Sequence, residues 1–184
     1  MADERVIYLM KGTLVGLSAG FIVSLFRLGI EFILETVIEG YHFMQEQPIW
    51  LIPWVIFSVT AALIVGKLVK SEPNIKGSGI PQVEGQVQGL ISLNWWPVLW
   101  KKFIGGLLAI GSGLFLGREG PSIQLGSAVG QGISNLTKGD DVEEKILLSS
   151  GAGAGLAAAF NAPLAGLMFV LEEVHHNFSP LLAI

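Results

Sequence analysis

The chain has 184 residues, of which 51% are apolar and only 14% charged, with a net charge of -4 and a mean hydropathy of +0.61. Soluble domains carry about 25% charged residues, so the deficit excludes an ordinary soluble domain and makes lipid the main solvent. The acidic balance excludes a nucleic-acid partner, for which a basic face is expected, and the lack of cysteine excludes a disulfide framework and thiolate metal sites.

The N-terminal MADERVIYLMKG opens on acids before its first arginine and has no small-residue cleavage site, so the first apolar segment is expected to stay in the mature protein. Residues 6–34 are long enough for a tilted membrane-spanning helix, at about 20 residues per crossing. Arg27 and Glu31 lie four apart within it and are expected to pair structurally on one helix face. Residues 35–48 carry three glutamates and no lysine or arginine, and read as an acidic loop. Residues 49–69 form a second span, which runs into Lys67, Lys70 and Lys76. By the positive-inside bias this basic end is cytoplasmic, the acidic loop is outside, and the N-terminus is inside.

Beyond residue 80 the segments are short. Residues 81–92 permit a helix but are too polar to span, and NWWP at 94–97, beside Lys101 and Lys102, reads as an interfacial turn. Residues 101–116 are apolar, with Gly105, Gly106, Gly111 and Gly113 allowing close helix approach. A helix candidate at 121–136, a polar break at 137–145, and segments at 145–160 and 163–174 complete the pattern. Tilted, broken or re-entrant helices fit these lengths, and such backbone survives at membrane depth only inside protein or beside water.

One device recurs: a small-residue loop, then proline, then a helix, in 77-GSGIP-81, 117-GREGP-121 and 161-NAP-163. Proline suits the first helical turn, where its missing N–H would have no partner. Pro81, Pro121 and Pro163 therefore mark helix starts, with Asn161 as a candidate N-cap. Each start leaves uncovered amides and a partial positive charge, an anion site without a full cation. Ser78 adds a hydroxyl donor, and the Gly79 and Ile80 amides can join it. Punctuation between helices explains one such loop, but three in an apolar chain favour a shared anion pathway, as interrupted helices make when their N-termini meet at the midplane. No nucleophile with a base, metal-ligand spacing or phosphate-binding loop is present, so an enzyme is not expected. His175 and His176 are adjacent and point apart on a helix, so they are not read as metal ligands.

GSGIPQVEG (77–85), KFIGG (102–106), GREGPSIQLGS (117–127), GLAAAFNAPLAG (155–166) and FVLEEV (169–174) resemble, in order and spacing, the CLC family of chloride channels and proton-coupled chloride transporters. The resemblance covers nearly the whole chain. It implies an all-α membrane protein built from two inverted halves around an anion pathway, paired as a homodimer, of which this chain is the first half. It implies chloride and protons as the transported species, with no cofactor and no metal. Ser78 matches the serine that coordinates the central anion, and Glu119 the gating glutamate, whose carboxylate competes with chloride until it is protonated. Glu173 matches the internal proton-transfer glutamate of the transporter branch, and favours an antiporter over a passive channel. The anion-binding set is then Ser78, Gly79, Ile80, Arg118 and Gly120. Serine at position 78 goes with chloride, where proline goes with nitrate. Gln82 and Gln88 depart from acids common in the family. Glu84 is retained and is expected to form a buried pair with Lys102. The second half's Gly-x-Phe-x-Pro motif and inner tyrosine are not found, since Tyr8 and Tyr41 lie elsewhere, so the expectation is an N-terminal piece of a protein about twice as long.

Overall fold

A computed structural model describes residues 2–174, and among them all regular structure is helical. Helix α1 spans Ala2–Glu46 and α2 spans Leu51–Ser71, joined through a 3-10 turn at Pro48–Trp50. Helices α3 (Ile80–Val87), α4 (Trp95–Gly111), α5 (Glu119–Leu136), α6 (Asp141–Phe160) and α7 (Pro163–Phe169) follow, and α7 runs into a π-helical turn at Val170–Val174. His175 and His176 lie outside the described residues.

At 1.5 Å per residue the 45 residues of α1 reach about 67 Å, well beyond the ~30 Å of a bilayer's hydrocarbon. The acidic stretch expected as a loop is therefore the last turns of this helix. Glutamate is a good helix former, and with no proline or glycine pair to interrupt it the helix continues until Gln47 and Pro48. Pro48–Ser71 runs for 24 residues and contains an 18-residue window of mean hydropathy 2.2, long and apolar enough to cross a membrane. NWWP is likewise not a turn: Asn94 caps α4, its side chain accepting from the Trp96 N–H, so both tryptophans lie in the first helical turn.

Helix α1 is apolar on both sides but packs on one. Val15, Ala19, Val23, Phe26 and Ile30 are buried, whereas Leu17, Phe21, Leu28 and Phe32 on the opposite face are 60–72% exposed. That outer stripe suits lipid and would be anomalous in water. The inner stripe meets Ile110 of α4, Leu125 of α5 and Ala159 of α6 in one cluster. A second cluster joins Val83 and Val87 of α3 to Ile123, Leu148, Ala152 and Val174.

The centre of the fold is α5, buried without a break from Gly120 to Gly132. Its composition, EGPSIQLGSAVGQGISNL, explains how a helix can sit there. At Gly126 a side chain would strike the Gly151 carbonyl of α6, and at Gly155 one would strike the Ser122 carbonyl of α5. The two backbones touch directly, the packing that small residues permit where lipid offers no hydrophobic drive. The buried Gln131 ties three elements, donating to the Leu93 carbonyl and Glu144 and accepting from Gln86.

Asn161 does not begin α7. It closes α6 as a left-handed C-cap (φ 53°), and Ala162 takes the N-cap position before Pro163. Asparagine tolerates the left-handed region better than other non-glycine residues, which is why it can end a helix there.

Candidate anion site at two helix N-termini

Two of the three proline-opened helices converge. Before α3, Gly79 adopts φ 95°, a conformation glycine reaches without penalty, and a Cβ there would also lie 2.6–2.7 Å from the Gln124 side chain. Gln124 is itself held by donation to the Asn74 carbonyl at 2.8 Å. This fixes the turn that presents Ser78, whose Oγ accepts from the Ile80 N–H at 3.3 Å. Pro81 follows in the first turn of α3. Helix α5 starts at Glu119, with Pro121 in its first turn, so the Glu119 and Gly120 amides have no intrahelical acceptor.

The two starts abut at Gly120. A Cβ there would stand 2.6 Å from Ser78 Cβ, 2.7 Å from Ser78 O and 2.8 Å from Ser78 Cα. Only glycine allows this approach. Beside it lies a cavity of about 590 Å³ lined by Ser78, Ile80, Lys102, Glu119, Gly120 and Pro121, with Lys76 and Lys101 also on its wall. Ser78 and Glu119, 41 positions apart in sequence, thus share one chamber. The Glu119 carboxyl folds back beside Gly117, where a side chain would collide with Oε2.

Two expected roles are redistributed. Lys102 is 4% exposed, yet it does not pair with Glu84: its ammonium donates to the Ile75 carbonyl at 2.9 Å and the Gly77 carbonyl at 2.8 Å. The reason is reach. Lys102 lies against the loop that precedes α3, whereas Glu84 sits more than a turn along that helix. The lysine thereby anchors the Ser78 loop and brings a cation to the chamber wall. Arg118 is not among the lining residues. Its Nη1 donates to Glu31 Oε1 at 3.0 Å, and the same oxygen accepts from Arg27 Nε at 3.0 Å. The Arg27–Glu31 pair forms as expected; its extension to Arg118, 87 residues away, carries no local signal in sequence.

The third proline-opened helix, α7, does not line this chamber. Glu172 and Glu173 are exposed in the π-helical turn, and Val170, Leu171 and Val174 hold that turn to the core. Among the described residues no group of acidic or histidine side chains could hold a metal ion.

The arrangement of loops matches a known pattern. Residues 61–184 fit the family model described as voltage gated chloride channel. The chain belongs to that family. Among its relatives are the H(+)/Cl(-) exchange transporters ClcA of Vibrio parahaemolyticus, 42% identical over 174 residues, and of Cronobacter sakazakii, 39% identical over the same length. Each match covers 92% of this chain and 37% of the relative, so the chain spans little more than a third of those proteins. The crystal structure of a slow cyanobacterial Cl-/H+ antiporter superposes with a TM-score of 0.85 at 37% identity, covering 91% of this chain and 40% of that one. The all-helical architecture expected from the motifs is thus the fold of a family member with a solved structure.

Proposed function

We propose that this chain is the first half of a proton-coupled chloride exchanger, embedded in a membrane with its N-terminus on the cytoplasmic side. The observation that carries the reading is that Ser78 and Glu119 line one chamber where the N-termini of α3 and α5 abut. A chloride there would be held by the Ser78 hydroxyl and by the amides around Gly79, Ile80 and Gly120, with Lys102 adding charge from the wall. Amides and a hydroxyl hold an anion while still allowing it to leave, as conduction demands. Ionised, the Glu119 carboxylate competes for the same amides; protonated, it has no charge to offer them and yields. Arg118 acts behind this site rather than in it. Glu173 is the proposed proton carrier from the cytoplasmic side, supported by its match to the transporter branch and its place on an exposed turn. The names of the exchange transporters support coupling to protons, and pairing into a homodimer is proposed on the same family grounds.

The test is chloride efflux with simultaneous proton uptake from liposomes holding the chain. The expected result is coupled flux, with Glu119→Gln giving chloride movement that no longer responds to pH and Glu173→Gln keeping chloride movement without protons. Flux that ignores the proton gradient in the unaltered chain would assign a passive channel instead. Flux from neither the unaltered chain nor Glu119→Gln would assign a non-transporting membrane fragment. Persisting pH control in Glu119→Gln would remove the gate from this residue.

A further inference from the structure

The segment that carries Glu119 has few attachments. Between Gly111 and Glu119 the chain turns through residues 112–118, where Leu114, Phe115 and Leu116 are 52–110% exposed. Its internal bonds are local: Leu116 N–H to Leu114 O, Gly113 N–H to Ile110 O, and the Ser112 hydroxyl to Ala109 O. Among the described residues, the side-chain tie from this segment to a distant element is the Arg118–Glu31 pair, which bonds the residue just before Glu119 to the middle of α1. Glu31 stands in a helix whose neighbours Phe26 and Ile30 are packed in the core, so its backbone is fixed. Arg27 holds the same carboxylate oxygen from one turn earlier and aims it.

We propose that Glu31 is the positioning residue of the gate: by gripping Arg118 it fixes residues 112–118, and it keeps the Arg118 guanidinium away from the Glu119 carboxylate. The inference rests on the gating role proposed for Glu119 and adds what sets that gate's rest position and its sensitivity to acid. The charged groups around Glu119 are Lys76, Lys101 and Lys102 on the chamber wall, Arg118 on its own segment, and Arg27 and Glu31 on α1. Of the three chamber lysines, Lys102 donates to the Ile75 and Gly77 carbonyls and Lys101 to the Ser71 carbonyl, while Lys76 lies on a separate loop, two residues before Ser78. Arg118 is adjacent to Glu119, and Glu31 decides which carboxylate it serves. With Glu31 neutralised, the freed guanidinium pairs with ionised Glu119. An opposite charge stabilises the ionised form, so protonation of Glu119 then requires more acid.

The natural chain has no cysteine, so one introduced thiol can carry a nitroxide spin label without competition. A label at Leu116→Cys, on the chamber wall, reports both the freedom of the segment and its response to pH; Phe115→Cys is the alternative site should the first disturb folding. In Glu31→Gln the spectrum should narrow to that of a freely moving label, and its pH midpoint should fall by about one unit. Glu31→Asp, which keeps the charge on a shorter stem, should lie between the two. Glu35→Gln, one turn further along α1 and outside the triad, should change neither reading. In Glu119→Gln the pH response should vanish. Unchanged mobility in Glu31→Gln overturns the grip, and a mobile segment with an unmoved midpoint reduces Glu31 to a structural strut and overturns its role at the gate. A pH response that survives Glu119→Gln also overturns the proposal, because the segment would be answering another group. None of these spectra needs chloride flux, so a failure of the transport reading is seen separately in the liposome assay.

Discussion

Replacing Gly120 by alanine tests the junction on which the proposed anion site depends. Carbon atoms that touch settle at about 3.5–4.0 Å, whereas the new methyl would meet Ser78 Cβ at 2.6 Å, its carbonyl oxygen at 2.7 Å and its Cα at 2.8 Å. Two of these three atoms are backbone, so rotating a side chain does not relieve them. The starts of α3 and α5 must part by about 1 Å, a strain worth about 1–3 kcal/mol for an overpacked site. Alanine's better helix propensity returns at most ~1 kcal/mol, and less in a first turn. The net expectation is a loss of about 1–2 kcal/mol, seen as a lower midpoint in a thermal melt of the purified chain in detergent. Chloride binding at the proposed site is expected to suffer further, because amides that should converge are spread. One lost hydrogen bond to a charged group is worth about 1.5–3 kcal/mol, or roughly 10- to 100-fold in a calorimetrically measured Kd. Ser78→Gly in the same chain should recover part of the stability by removing the clashing Cβ, while the clashes with the main chain of residue 78 persist. Gly66→Ala, where nothing lies within 4 Å of the new methyl, is the control and should be neutral or mildly stabilising. A Gly120→Ala chain as stable as that control, binding chloride equally well, would mean that the two helix starts do not touch at Ser78.

Lys102→Met keeps the aliphatic stem but deserts the Ile75 and Gly77 carbonyls. Losing two charge-assisted bonds outweighs the relief of leaving a buried charge unmade, so the chain should lose about 2–3 kcal/mol, read in the same melt. If Lys102→Met melts with the unaltered chain, the Ser78 loop is held by something else. Asp140→Ala removes the N-cap of α6, whose Oδ1 accepts from the Glu143 N–H at 2.8 Å, and should cost about 1 kcal/mol. Asp140→Asn should recover most of it, and equal melting of the alanine and asparagine chains would show that the cap is idle.

The proline-opened loops are the most legible part of this protein, because the physics that writes them is local. Gly79 is demanded by its own φ, Pro81 and Pro121 by the donor they lack, and Ser78 and Glu119 by the motifs around them. What does not show is whatever depends on partners far along the chain. Glu84 looks like the natural counter-ion for Lys102 because an acid and a base invite pairing. Backbone carbonyls leave no trace in residue type, yet they are what the ammonium finds. Arg118 reads as a cation facing the anion because it sits beside Glu119, and nothing within its own motif points to Glu31. The acidic end of α1 misleads for a different reason: charge suggests a loop, although glutamates at a helix end need only water beside them. Asn161 marks a helix boundary correctly but on the wrong side, since the same residue type serves as N-cap and as left-handed C-cap.

These differences share a direction that bears on how the site works. Of the basic groups expected to face the anion or an acid directly, Arg118 is bound away from the chamber to α1, and Lys102, on the chamber wall, gives its hydrogen bonds to the loop that presents Ser78. Full positive charges at the contact surface would hold a small anion too firmly to release it. With their hydrogen bonds spent on carbonyls and on Glu31, both contribute a field, and the proposed anion would meet amides and a hydroxyl. Helix α5 makes this arrangement possible. Its glycines let α6 pass at backbone contact, and Gly120 lets the Ser78 turn approach equally closely. A carboxylate on the first residue of such a helix can take the place of the proposed anion without a side-chain partner of its own, as the proposed proton-moved gate requires.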